Sequence, residues 1–272
     1  MGYYKSLGLN KEPFSTSPDP QFFYLSANHN ATLKNLEISI RLRRGLCLIL
    51  GDVGTGKTTL SRTLLQAFKD EGDFVFHLIL DPAFKSEFQF LQNLINMFGI
   101  KPAFKSTIDF KEAIEKYLFL KGVEEDKTII LLIDEGQKIT PDNLEVLRTL
   151  LNYETNEYKL LQLVILAQAE FLPRVKRIPN FIDRVSLKYT ISPLDEKETK
   201  EMIEFRLKQA GMNGGSPLFN DGAIKLIYQF TQGYPRKIAM LCHDGLKEAV
   251  MREAPLVDEP MIRGLIARKD AE

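Results

Sequence analysis

Nine residues at 51–59, GDVGTGKTT, carry the densest chemistry in the chain. They match the spacing G-x-x-x-x-G-K-[ST], with the apolar run LCLILG leading in and a helical pattern following. Gly51, Gly54 and Gly56 let the backbone close around phosphate oxygens, where N–H groups and a helix N-terminus attract negative charge. Asp52, Val53 and Thr55 complete the turn, and with Lys57, Thr58 and Thr59 they form the candidate nucleotide-binding set. Lys57 is expected at the β- and γ-phosphates, and Thr58 is expected to place its hydroxyl on Mg²⁺.

A second stretch, TIILLIDEGQ at 128–137, supplies the complementary chemistry. Its apolar run ends in two adjacent carboxylates. Asp134 is expected to hold the metal, and Glu135 to take the proton of an attacking water. One strand pattern lies between the two motifs, the order found in P-loop ATPases with a catalytic glutamate. Gln168 closes the run LQLVILA. There an amide orients the lytic water or senses the γ-phosphate, with an ordinary strand-end polar residue as the equal alternative. Arg236 follows Pro235 in QGYPRKIAMLC. It reads as a γ-phosphate contact at a helix start or as a solvated charge, the latter mildly unfavourable beside the helix dipole. The guanine-reading NKxD motif, the LSGGQ signature and metal-ligand spacings of Cys and His are missing. His29, His77 and His243 are scattered and read as core or surface residues.

The elements that must position these groups are legible as alternating patterns. Five short apolar runs, at 46–51, 74–80, 128–134, 161–167 and 185–191, predict the strands of a parallel α/β sheet. Helical stretches are expected near 57–71, 86–99, 108–121 and 141–153, the last with Thr140 as N-cap and Pro141 at its first position. After Pro193 the strand patterns stop, and helices are expected over 195–211, 221–231, 235–252 and 258–268. The expected organisation is an α/β domain over 1–192 and a small helical domain over 193–272.

These motifs together resemble the AAA+ ATPases, and the whole chain resembles the ATPase domain of the general secretion pathway protein A family. PFSTSPDPQFFYLS, GDVGTGKTTL, LLIDEGQ, LEVLRTLLNYET, DRVSLKY and GYPRKIAMLC carry the resemblance over roughly residues 5–268. It implies a P-loop NTPase of the AAA+ class, a five-stranded parallel sheet sandwiched by helices and followed by a helical lid, that hydrolyses ATP with Mg²⁺. It places Gln168 at the sensor-1 position and Arg236 at sensor 2. AAA+ proteins bind nucleotide between subunits, and an arginine just before the last core strand completes the neighbour's site. Arg184 stands at that position, with Arg174 and Arg177 as runners-up in the same cluster. The resemblance therefore implies a homo-oligomer. FYLSANHNATLKNL and the upstream EPF are expected on the adenine side or in plain core. Arg148 and Asn152, four apart on one helical face, read either as support for the interface or the water, or as a salt-bridged surface.

Bulk composition narrows the partners. Lys+Arg and Asp+Glu are 36 each, so no global field draws in nucleic acid or an acidic membrane. The run lengths allow no membrane-spanning segment, and the N-terminus lacks a signal core. Cys47 and Cys242 read as buried thiols of a reducing compartment. The expected location is the cytoplasm, beside the inner membrane through a partner. Members of the resembled family with the full secretion role continue into a membrane span and a peptidoglycan-binding region; this sequence stops at LIARKDAE, so the expectation is either a stand-alone relative or a partner that supplies the rest of the job. Two functions compete. One is an ATPase that drives or switches assembly of a bacterial envelope machine with a protein partner. The alternative is a DNA-directed ATPase of the TnsC and MuB transposition-regulator type, with Arg41, Arg43, Arg44 and the 174–184 cluster along the phosphate backbone. A nucleotide-gated scaffold without hydrolysis is disfavoured by the intact Lys57, Asp134 and Glu135.

Overall fold

Uninterrupted apolar sequence builds the centre of the sheet. In the computed structural model, which describes residues 2–101, 106–178, 180–212, 214 and 216–269, five strands pair in parallel. In chain order the elements are α1 (Ala27–Arg41), β1 (Leu46–Gly51), α2 (Lys57–Ala67), β2 (Phe74–Ile79), α3 (Glu87–Met97), α4 (Thr107–Phe119), β3 (Thr128–Ile133), α5 (Pro141–Leu150), β4 (Leu161–Ala167), α6 (Phe171–Val175) and β5 (Val185–Ile191). The strand order is β2-β3-β4-β1-β5. Every residue of β1, β3 and β4 is buried, as strands covered on both faces require. β5 lies at an edge and alternates, with Ser186, Lys188 and Thr190 exposed. A charged residue on an edge strand discourages pairing with another chain.

The chain divides into two compact units. The first, residues 30–52 and 63–191, holds the sheet and a core that includes Phe90, Phe110, Phe171 and Phe181. Its helices start where the sequence offers caps. Ser86 accepts from the Gln89 N–H, Ser106 and Asp109 form a reciprocal capping box, and Thr140 accepts from the Asn143 N–H ahead of Pro141. The one buried polar side chain of β4, Gln162, takes the Gly45 N–H at 2.8 Å and donates to the Lys159 carbonyl at 2.7 Å. Both ends of its amide are satisfied, as burial demands.

The second unit comprises residues 1–29, 53–62 and 192–272, within the described residues. It contains α7 (Glu196–Gln209), α8 (Asp221–Thr231), α9 (Pro235–Met251) and α10 (Glu259–Lys269). Leu9, Phe14 and Phe22 share one core with Leu194, Met202, Ile203, Leu207 and Phe219. Arg206 in α7 donates to the carbonyls of Pro13 and Ser15, at 3.5 and 3.1 Å. Where the sequence expectation ran a first domain from 1 to 192, the N-terminal segment thus packs with the helices after 192. Hydrophobic contacts between residues nearly two hundred apart, invisible to local patterning, decide its place.

Candidate active site

The phosphate-binding sequence leaves β1 at Gly51 and becomes helical at Lys57. Between them the backbone takes two left-handed turns, with φ +83° at Gly54 and +101° at Gly56. A side chain at either position would be strained and crowded. A Cβ at Gly54 would lie 3.0 Å from Arg236 Cβ, and one at Gly56 3.0 Å from Phe23 Cε2. The Gly56 carbonyl accepts the Leu60 N–H at 2.8 Å and so begins the intrahelical bonds of α2. Lys57 is buried at 7% exposure, while Asp52 and Val53 face solvent. Thr58 and Thr59 are half-buried at the first turn of α2, where helical N–H groups favour an anion.

Two contacts within the same unit hold the loop. The Arg236 N–H, at the start of α9, donates to the Gly54 carbonyl at 3.2 Å, and the Arg236 side chain is exposed. On the other side the fully buried His29 places Nε2 2.8 Å from the Thr55 carbonyl. A carbonyl only accepts, so Nε2 carries the proton and Nδ1 accepts from the Ser26 hydroxyl at 2.8 Å. Ser26 also takes the His29 backbone N–H at 3.3 Å, the N-cap bond of α1. Burial pushes the His29 pKa down, partly offset by the Thr55 carbonyl and Glu198, so the ring is held neutral. Phe23 stands edge-on to this ring at 5.0 Å. The segment expected on the adenine side therefore packs behind the phosphate loop.

In the sheet unit, Asp134 continues the ladder beyond β3, its N–H donating to the Ile79 carbonyl at 2.8 Å. It is 2% exposed, and its Oδ1 accepts the Glu135 N–H at 2.9 Å. Glu135 then turns left-handed, with φ +51° and ψ +37°, a conformation that costs a non-glycine residue energy and collects at functional sites. The Gln137 side chain bridges two neighbours: Nε2 donates to Glu135 Oε2 at 2.5 Å, and Oε1 accepts the Gln168 N–H at 3.1 Å. Gln168 is half-buried just past β4. The carboxyl ends of β1, β3 and β4 lie along one edge of the parallel sheet, so Gly51, Asp134 and Gln168 open on the same side.

The three arginines of the cluster, of which the resemblance put Arg184 first, have different partners. The Arg174 guanidinium donates to the Gln137 carbonyl and, at 2.7 Å, to the Ile139 carbonyl of its own chain. Arg184 donates to the Asn180 carbonyl at 2.8 Å and to Asn152 Oδ1 at 2.5 Å. Arg177 is exposed. Arg148 pairs with Glu145 on the surface of α5, while Asn152 serves Arg184. Two residues outside the set expected from sequence emerge, His29 and Gln137. The only sequence signal for His29 is its place three after the capping Ser26; for Gln137 it is an amide two after the glutamate.

Thr58 and Asp134 offer hydroxyl and carboxylate oxygens, the hard donors that suit Mg²⁺. Among the described residues no group of three or more His, Cys, Asp or Glu is placed to hold a metal.

The AAA domain family matches residues 40–175, half of the chain. The chain belongs to the AAA domain family. This AAA chain is 33% identical over 259 residues to general secretion pathway protein A of Aeromonas hydrophila, an alignment covering 92% of this chain and 45% of that protein. It thus spans less than half the length of that relative. Among solved structures, Drosophila ORC bound to DNA aligns with a TM-score of 0.71 at 20% identity, over 98% of this chain and 66% of that one. Cdc6p from Pyrobaculum aerophilum aligns with a TM-score of 0.68 at 18% identity, over 90% and 67%. At such identities these likenesses establish the fold alone. Family membership supports nucleotide binding and ATPase activity for this chain. No helix among the described residues is long and apolar enough to cross a membrane.

Proposed function

We propose that this AAA chain is an oligomeric ATPase that hydrolyses ATP to ADP and phosphate and thereby drives or switches assembly of a bacterial envelope machine. The observation that carries the hydrolytic reading is Glu135, set in a left-handed turn directly after the buried Asp134 and oriented by an amide. The likeness to general secretion pathway protein A supports the envelope assignment.

In this mechanism the loop from Gly51 to Thr59 binds the phosphates through backbone N–H groups, and Lys57 pairs with the β- and γ-oxygens. Thr58 and Asp134 would hold Mg²⁺, which when bound offsets charge on the phosphate oxygens. Glu135 takes the proton from the attacking water. Gln168 orients that water or reads the γ-phosphate, and Arg236 links the nucleotide to the position of the helical unit. Arg184 completes the site of a second copy of the chain; a trans arginine of this kind contributes roughly 10³–10⁵-fold to turnover.

DNA is the competing partner. Of the basic residues that reading uses, Arg41 is bidentate to Glu71 at 2.8 and 2.7 Å, and Arg43 pairs with Asp126 and lies over the Tyr158 ring. Arg174 is held by the Gln137 and Ile139 carbonyls, which leaves Arg44, Lys176 and Arg177 as exposed cations.

The test is ATP turnover across protein concentration, with and without duplex DNA, for the wild type, Arg184→Ala, Glu135→Gln and a mixture of the two variants. Turnover per subunit is expected to rise steeply with concentration and to ignore DNA. Each variant alone should keep only a small residual turnover, and the mixture should regain activity because each supplies what the other lacks. Full turnover by Arg184→Ala at saturating protein would sink the trans assignment. Strong stimulation by DNA at fixed protein would replace the envelope reading with the DNA-directed one.

A further inference from the structure

We propose that Gln137 is the positioning residue of Glu135: its side-chain amide fixes the orientation of the carboxylate and ties it to the end of β4. The proposal rests on Glu135 being the base. Glu135 has left the strand in a left-handed conformation, so the regular geometry of β3 no longer aims its side chain. The turn after it is packed without slack. Gly136 is buried, and a Cβ there would sit 2.4 Å from Ile165 Cγ2 and 3.2 Å from both Ala167 Cβ and the Leu166 carbonyl oxygen. The turn therefore lies flat against β4, and Gln137 is the first side chain past Glu135 able to reach back to it.

The amide's orientation is dictated by its partners. The Gln168 backbone N–H only donates, so the Gln137 carbonyl oxygen must face it, at 3.1 Å. Its NH₂ is thereby turned to Glu135 Oε2, at 2.5 Å. With Oε2 occupied by this donor, Oε1 is the oxygen that receives a proton from water. The amide is anchored from behind as well. Arg174 in α6 holds the carbonyls of Gln137, the middle residue of the short turn over Gly136–Lys138, and of Ile139, the residue just past it. Charge-assisted bonds of this kind are about twice as strong as neutral ones. Glu135, Gln137, Gln168 and Arg174 thus form one hydrogen-bonded chain, and a displacement at the end of β4 is transmitted to the base through the Gln137 oxygen.

The experiment measures steady-state ATP turnover of the full chain at saturating protein for the wild type, Gln137→Met, Gln137→Glu, Glu135→Gln and the Glu135→Gln/Gln137→Met double variant. Methionine keeps the length and removes both hydrogen bonds; glutamate keeps the volume and removes the donor. Both single changes at 137 are expected to lower kcat by about 10–100-fold, the scale of a misplaced reacting group, with the KM for ATP within about twofold. The double variant should turn over no more slowly than Glu135→Gln, because both changes act through one carboxylate. A kcat within twofold of wild type in both variants at 137, a loss confined to KM, or a further loss in the double variant would each overturn the proposal. The two readings also separate: Glu135→Gln at full turnover removes the base assignment and this inference with it. An inactive Glu135→Gln beside fully active variants at 137 removes this inference alone.

Discussion

Replacing His29 with phenylalanine tests whether the phosphate loop is held from behind. The ring is fully buried, as is Thr55, and phenylalanine preserves its approximate volume and its edge-on contact with Phe23. What it removes is the Nε2–H bond to the Thr55 carbonyl and the acceptor of the Ser26 hydroxyl, each at 2.8 Å. Two buried neutral hydrogen bonds contribute about 1–1.5 kcal/mol each, so a total near 2–3 kcal/mol is expected. Against a typical stability of about 5–15 kcal/mol the variant still folds.

The loop is the softer element, because it can relax where the surrounding core cannot. Most of the cost should therefore appear as a lost preference for the phosphate-binding shape. At 1.4 kcal/mol per tenfold, 2–3 kcal/mol corresponds to at most about a 30–150-fold weaker affinity for ATP. Urea unfolding with and without ADP, alongside nucleotide titration by calorimetry, measures both parts. A variant whose unfolding free energy lies within about 0.5 kcal/mol of wild type, with an affinity within twofold, would refute the bracing role.

Three further changes probe other parts of the chain. Gly136→Ala must push the turn off Ile165 and is expected to destabilise by about 1–3 kcal/mol while lowering kcat; a thermal midpoint and turnover both unchanged would contradict the close packing. His77 sits 4.6 Å from the Phe98 ring with Nε2 buried and unpartnered, and burial pushes its pKa down from 6.5 to about 4. The unfolded chain therefore takes up this proton first as pH falls, so the contribution of His77 to stability is present above pH 6.5 and is lost between 6.5 and about 4. His77→Phe should flatten that part of the pH–stability curve in urea titrations, and an identical curve would exclude His77 as its source. Arg206→Met keeps the buried stem but drops the bonds to the Pro13 and Ser15 carbonyls, so amide exchange over residues 9–22 should accelerate; unchanged protection there would show that the hydrophobic contacts suffice.

The sheet was legible because its central strands are buried on both faces and so appear as unbroken apolar runs. The loop at 51–59 was legible because all its chemistry is contiguous. α1 was passed over, since ANHNATLKNLEISIR offers few apolar positions at helical spacing, and α6 is a five-residue turn around Pro173. The bracing residues were hidden for a different reason: His29 and Thr55 are 26 apart in sequence, Gln137 and Gln168 are 31 apart, and Arg174 and Gln137 are 37 apart. Periodicity has no access to such pairs.

The arginine cluster shows what the added information decides. By charge Arg174, Arg177 and Arg184 are alike, and only the place of Arg184 before the last strand ranks it first; by partners they differ. Arg174 is committed to two carbonyls of the turn that carries Glu135, and moving it to another subunit would release that turn. The hydrogen bonds of Arg184 go to a backbone carbonyl and an asparagine amide, acceptors that fix its direction without cancelling its charge. Both guanidinium groups are held by neutral acceptors and keep their attraction for phosphate oxygens; what differs is that the bonds of Arg184 can be exchanged without releasing the turn after Glu135. That asymmetry favours Arg184 over Arg174 as the arginine given to a neighbouring copy. It also explains why Asn152→Asp, which would pair the guanidinium within its own chain, should lower turnover while leaving the fold intact.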